Sequence, residues 1–317
     1  MSGVLESAAE IEHALMVQYL SAAYSFKGSA EVTDPGQRDV LDEDDPGKKK
    51  SRPKVIKAVA REEMGHLMTV QNLLLALGLP PNLEREDFPP RKDLYPFAVH
   101  LGPLTQRSLA KYVVAEAPSD ATGIDDIVEL AQSSGKPRIN RVGVLYGLLG
   151  VVFATAEQIE EGRTSGDPWH EMVSDLADLA YEPAPAEQWH LPDSAFGTAD
   201  AAQQAEPSDW QVSAVRVHRV ADRAGARAAI RDIGEQGEGP TTSLEESHFE
   251  RFRLVYRGNA GALAFPAAGE WGPTRKVPTD PTPAGCKPGH PPVDRVRRPR
   301  LRPAARARGA LPGVHRG

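Results

Sequence analysis

The chain has 317 residues, 40% hydrophobic and 26% charged, with a formal net charge of -7. That is ordinary for a globular protein of one large or two modest domains. It holds no apolar run near the roughly 18 residues of a membrane span, and its single cysteine, Cys286, excludes an intrachain disulfide. The charge is unevenly spread. From Pro281 onward eight Arg and Lys287 oppose Asp294, a net of +8 that leaves the remainder at -15. So acidic a body argues against a nucleic-acid-binding core. The N-terminus lacks a basic segment followed by an apolar stretch, so no signal peptide is expected and a cytoplasmic location is.

In chain order, a first amphipathic helix is predicted from about Val4 to Phe26. A charged loop follows to Pro53, with Asp42-Glu43-Asp44-Asp45 and Lys48-Lys49-Lys50 as solvated runs. The second helix spans about Val55 to Leu77, stopped by Gly78 and Pro80-Pro81. After a Pro-rich connection from Asn82 to Pro103, a shorter helix covers about Thr105 to Glu116. A third long helix is predicted over about Ile139 to Glu161. The stretch Thr164 to Gln211, with Trp169, Trp189 and Trp210 among prolines and alanines, reads as a long crossover with short helices. Its tryptophans either wall a substrate pocket or only pack. Val212 to Val217 alternates apolar and polar residues like an edge strand. A helix over Asp222 to Glu235, with Asp222 as cap, is broken by Gly237-Glu238-Gly239-Pro240, and a last helix runs from near Ser243 to Tyr256.

The expected organisation is a helical domain over residues 1–258, with a crossover insertion at about 164–221, and an irregular tail over 259–317. After Pro281 the tail has no aromatic residue. It reads as a basic arm, as a disordered segment or as the product of a shifted reading frame in a GC-rich gene.

The chemistry concentrates on two helical seams. Ile56, Val59, Glu63, His66, Val70, Leu73 and Leu77 alternate spacings of three and four, so all share one core-facing stripe. Five are apolar; Glu63 and His66 are not. An unpaired buried carboxylate is costly, so a partner is required. A divalent cation takes both an anionic oxygen and a neutral nitrogen. A hydrogen bond from His66 to Glu63 without metal is the plainer alternative. The first helix places Glu12 on an equally apolar stripe with Leu5 and Tyr19. The last helix offers a second Glu-x-x-His, Glu245 and His248, above Phe252 and Val255, with Glu238 just upstream between glycines that would aim it inward. Helical bundles use such pairs from facing helices to hold two metals. The candidate metal ligands are therefore Glu12, Glu63, His66, Glu238, Glu245 and His248. The third long helix has no acid on its best seam; Glu157 and Glu160 near its end, or Glu116 on the shorter helix, are the substitutes.

These segments resemble a known family. Glu10-Ile-Glu12-His-Ala-Leu-Met-Val-Gln-Tyr19-Leu, then Ala60-Arg-Glu62-Glu63-Met-Gly-His66 with Asn72-Leu-Leu-Leu-Ala-Leu-Gly78-Leu-Pro80, and finally Glu235-Gln-Gly-Glu238-Gly with Ser247-His248-Phe249 look like the ferritin-like domain of iminophenylpyruvate dimer synthases. The resemblance covers roughly residues 4 to 280. It implies an all-α ferritin-like four-helix bundle with a long Pro-rich crossover. It also implies a metal-dependent oxidoreductase of specialised metabolism that couples imines made from aromatic amino acids, in pathways such as violacein and rebeccamycin. By position, Glu12, Glu63, His66, Glu238 and His248 would be its metal-site residues. The sequence departs at Val144, where an acid is expected. Iron, two ions per chain, is the implied cofactor; manganese suits the same ligands, and haem would call on His100, His170 or His190. The expected partners are an aromatic small molecule and at most a second copy of the chain, with neither nucleic acid nor membrane. The rival functions are iron handling without substrate turnover and a degenerate bundle acting as a structural partner.

Overall fold

The computed structural model describes residues 2–38, 41, 51–85, 96–97, 100–132, 140–181, 191–196, 203–210, 215–238, 247–257, 273–278 and 280. Its helices are α1 (Ser2–Tyr24), α2 (Pro35–Arg38), α3 (Arg52–Ala76), α4 (Gln106–Ala115), α5 (Asp125–Gln132), α6 (Val142–Phe153), α7 (Ala156–Ser165), α8 (Pro168–Tyr181), α9 (Arg223–Glu238) and α10 (His248–Arg257). Among the described residues there is no strand, only an isolated bridge between Phe26 and Thr274. No described helix is long and apolar enough to cross a membrane.

Two long helices form the spine. At 1.5 Å per residue, α1 and α3 extend about 34 and 37 Å. Pro53 opens α3 in its first turn, where a missing N–H costs nothing. Gly78, at φ 68°, closes it. Gly78 N–H donates to the Leu75 carbonyl and Leu79 N–H to that of Leu74, both at 2.9 Å, so the last carbonyls are satisfied.

The spine separates two apolar clusters. The first joins Ile11, Leu15 and Tyr19 of α1 to Ile56 and Val59 of α3, Leu109 and Val113 of α4, Ile127 of α5 and Phe252 of α10. The second joins Leu5 and Ala8 of α1 to Val70 and Leu73 of α3, Leu149 of α6, Val173 of α8 and Ile230 of α9. The start of α1 thus meets the end of α3, and the two run antiparallel. Over one half of this hairpin lie α4 and α10; over the other lie α6, α8 and α9.

The predicted third long helix is two helices. Thr155 ends it as a continuous element: its hydroxyl accepts from Gln158 N–H, and the Gln158 side chain accepts from Thr155 N–H. This reciprocal cap starts α7 in a new direction. Helix α9 runs on through Gly237 to Glu238, past the expected stop at Glu235, with Asp222 capping its start by accepting from Gly225 N–H at 2.8 Å. The start of α10 near Ser243 lies outside the described residues.

Of the edge strand expected over Val212 to Val217, residues 212–214 lie outside the described residues; Val215 and Val217 are buried on either side of exposed Arg216, but residues 215–220 pair with side chains of α3 rather than with a strand. His218 N–H donates to Thr69 Oγ1 at 3.1 Å, and Asn72 Nδ2 donates to the His218 and Ala205 carbonyls at 2.8 and 2.9 Å. Asn72 Oδ1 accepts from Ala205 N–H at 2.9 Å, so one buried amide ties two crossover segments to α3. Trp169 packs against Gly150 of α6 and Gly234 of α9, where an added Cβ would lie 3.3 and 2.6 Å from the indole. This tryptophan therefore packs between helices. Trp189 lies outside the described residues.

The compact unit runs from Met1 to Asp280, and residues 281–317 form a second unit that lies outside the described residues, as does the tail reading attached to it. Within the first unit, Lys27 N–H donates to the Pro273 carbonyl and Arg275 N–H to that of Ser25, both at 2.8 Å. Residues 273–275 are thereby held on the end of α1.

Candidate metal centre

Between the two apolar clusters lies a polar layer. Glu12, Glu63, His66, Glu116 and His248 are all buried, none more than 4% exposed. Moving each ion out of water costs several kcal/mol, which apolar packing around it does not return. Each helix contributes where it changes cluster: Glu12 between Ala9 and Leu15 on α1, Glu63 and His66 between Ala60 and Leu67 on α3. Glu116 caps the end of α4, and His248 opens α10.

The donor atoms form two groups, Glu12–Glu63–His66 and Glu63–Glu116–His248, each with its ligand atoms within 4.8 Å of one another. Glu63 belongs to both, one oxygen turned to each: Oε2 is 3.1 Å from His66 Nδ1 and Oε1 is 2.9 Å from His248 Nδ1. His66 Nδ1 also lies 3.5 Å from Glu12 Oε2, and His248 Nδ1 lies 3.7 Å from Glu116 Oε2. The hydrogen bond from His66 to Glu63 exists, so a metal-free pair accounts for part of the arrangement. It does not account for the rest. Glu12 Oε2, Glu63 Oε1 and His248 Nδ1 are buried without a hydrogen-bond partner. Glu63 Oε1 and His248 Nδ1 face one another at 2.9 Å without the direction a hydrogen bond needs. Two ligands at right angles, each roughly 2.1 Å from one ion, stand about 3 Å apart. The residues present fit a cation.

The remaining oxygens are held by phenols. Tyr146 donates to Glu12 Oε1, and Tyr19 donates to Glu116 Oε1 at 2.6 Å. Burial and the Glu63 charge raise the Glu12 carboxyl to about 8. Burial alone would lower His66, but the carboxylates of Glu12 and Glu63 carry it to about 10. Burial likewise opposes the charge on His248, and Glu63 outweighs it, raising the ring well above its ordinary value. At pH 7 Glu12 and His66 therefore each hold a proton that a metal must displace, and affinity should rise as pH increases through about 8 and on toward about 10. Calorimetric titration with Mn(II) in buffers of different ionisation heat is expected to record net proton release at pH 7; a buffer-independent heat would contradict it.

Of the expected ligands, the structure brings Glu12, Glu63, His66 and His248 together. Glu238 ends α9, with its side chain outside the described residues, where Glu245 also lies. Glu157 and Glu160 are exposed on α7. Val144, placed where an acid was expected, is 49% exposed on α6 and points away from the centre. The acid comes instead from Glu116, and α6 contributes Tyr146. Glu62, Gln236, Tyr19 and Tyr146 escape sequence reasoning as partners of the ligands. Tyr19, seven residues after Glu12, and Tyr146, on a seam with Phe153 and Glu157, carried a spacing signal. His100 pairs at the surface with Asp280, the half-buried His170 lies 3.3 Å from Asp167, and His190 lies outside the described residues.

A hairpin of long helices covered by further helices, with carboxylates and imidazoles in one buried layer, is the arrangement of the carboxylate-type helical bundles. The Ferritin-like family model matches residues 5–257, and the chain belongs to that family. Neither the curated proteins nor the solved structures gave a match.

Proposed function

We propose that this chain is a di-metal oxidoreductase, with iron as its metal, that acts on a small aromatic substrate. The observation that carries it is the sharing of Glu63 between two buried ligand groups in which Glu12 Oε2, Glu63 Oε1 and His248 Nδ1 lack hydrogen-bond partners. Glu12 and His66 would hold one ion, Glu116 and His248 the other, with Glu63 between them. Glu238, at the end of α9, and Glu245, three residues before His248, are the further acids proposed to complete the set. Bound iron supplies one-electron chemistry toward dioxygen or peroxide. The protein's part is to hold the donors. Tyr146 and Tyr19 pin the outer oxygens of Glu12 and Glu116, and the flanking apolar clusters exclude water, which strengthens every interaction inside.

The resemblance to iminophenylpyruvate dimer synthases makes an imine from an aromatic amino acid the proposed substrate, oxidatively coupled in specialised metabolism. A second function, iron handling without turnover, is favoured by the burial of every described donor. Oxygen consumption by the iron-loaded chain distinguishes them. Consumption that rises when an aromatic imine or enamine is added supports the oxidoreductase. Consumption indifferent to it supports iron handling, and a chain unable to take up iron would leave only a structural role.

A further inference from the structure

We infer that Glu62 is a positioning residue that sets the ring tautomer of both candidate imidazole ligands, directly at His248 and through Gln236 at His66. This rests on the metal-centre function proposed above. Glu62 precedes a candidate ligand in sequence but faces the other side of the imidazoles. Arg251 grips its carboxylate with both terminal nitrogens, one of them 2.9 Å from Oε1. Facing a guanidinium that can only donate, the carboxylate accepts through both oxygens.

Two donors beside Arg251 meet Glu62 Oε2. His248 Nε2 lies 2.9 Å away, so this nitrogen carries the proton. Gln236 Nε2 lies 3.0 Å away, so the nitrogen end of the amide faces Glu62. The amide oxygen is thereby turned to His66, 2.9 Å from its Nε2. An amide oxygen cannot donate, so His66 Nε2 also carries a proton. Reversing the amide would set its oxygen against the Glu62 carboxylate and its NH2 against a ring N–H. Both rings thus turn Nδ1 toward Glu63 for the same reason, one carboxylate that meets His248 directly and His66 through Gln236. Such backing orients an imidazole and raises its basicity as a ligand.

The two positions are unequal. His248 donates to a charged acceptor and His66 to a neutral amide, and the charged bond is the stronger. The position at His248 is therefore the tighter one, and loss of Gln236 acts on the other alone.

Zinc, being diamagnetic, serves as the probe, bound to the full chain carrying 15N-labelled histidine. The expected spectrum has both His66 and His248 protonated at Nε2 and bound through Nδ1. Gln236→Met, apolar and of similar length, is expected to weaken one zinc equivalent about 10–100-fold and leave the other nearly unchanged. Glu62→Ala is expected to weaken both. Binding through Nε2 at either ring, or a Gln236→Met variant that weakens both equivalents alike or neither, overturns the inference while leaving a metal centre in place. Wild-type protein that binds neither zinc nor iron removes the metal-centre function and this inference with it.

Discussion

Glu63→Ala is expected to empty both metal positions at once, whereas Glu116→Ala is expected to empty one. Glu63 is the residue common to the two ligand groups, while Glu116 belongs only to the group with His248. Removing a residue that merely supports a ligand costs about 10–100-fold in metal affinity, so removing a shared ligand should exceed that at both positions. Elemental analysis of purified proteins should find about two ions per wild-type chain, about one in Glu116→Ala and none in Glu63→Ala. A Glu63→Ala protein that keeps both would refute a shared carboxylate. The helical fold should survive, because the apolar clusters on either side of Glu63 do not include it. Far-ultraviolet circular dichroism on the same samples separates loss of metal from loss of structure.

Gly65→Ala is expected to destabilise the protein, although alanine is the better helix former. Gly65 lies mid-helix in α3, where alanine would gain about 1 kcal/mol from propensity. A Cβ there would stand 2.4 Å from the Arg216 carbonyl oxygen and 3.0 Å from its nitrogen. The obstacle is backbone, and Asn72 and Thr69 hold that segment in place through His218. Overpacking of this kind costs about 1–3 kcal/mol, so the clash wins unless the segment detaches. Thermal unfolding should show a lower midpoint, by roughly 2–4 °C for each kcal/mol lost in a domain of this size. Because Gly65 sits between Glu63 and His66, the variant should also bind metal more weakly. An unchanged midpoint would mean that residues 215–220 yield freely and do not brace the site.

Much of the spine was legible in the residues. The alternation of three and four from Ile56 to Leu77 could only be one face of a helix, and the acid and imidazole within it could only be buried. Both facts are local, carried by a periodicity that needs no knowledge of the neighbouring chain. Glu12 was legible for the same reason. The layer they form was not, because α4 and α10 reach it from residues 116 and 248 across long stretches of chain. The third long helix failed for a local cause: Thr155 and Gln158 form a reciprocal cap that outweighs an otherwise continuous apolar seam. Val144 and Tyr146, two residues apart on α6, stand about 200° apart around the helix, so one faces outward and the other inward.

By itself the sequence determined that two long amphipathic helices would pair and that each would bury an acid, since burial follows from the apolar residues one turn above and below. It also determined where α3 begins and ends, through Pro53 and Gly78, because these act on the backbone beside them. Only the tertiary structure decided that Glu116 supplies the further acid, that Glu63 is shared, and that Glu62 and Gln236 stand behind the imidazoles. Those relations depend on which atoms of distant segments come within about 3 Å, the reach of a hydrogen bond. No spacing within one helix encodes that distance.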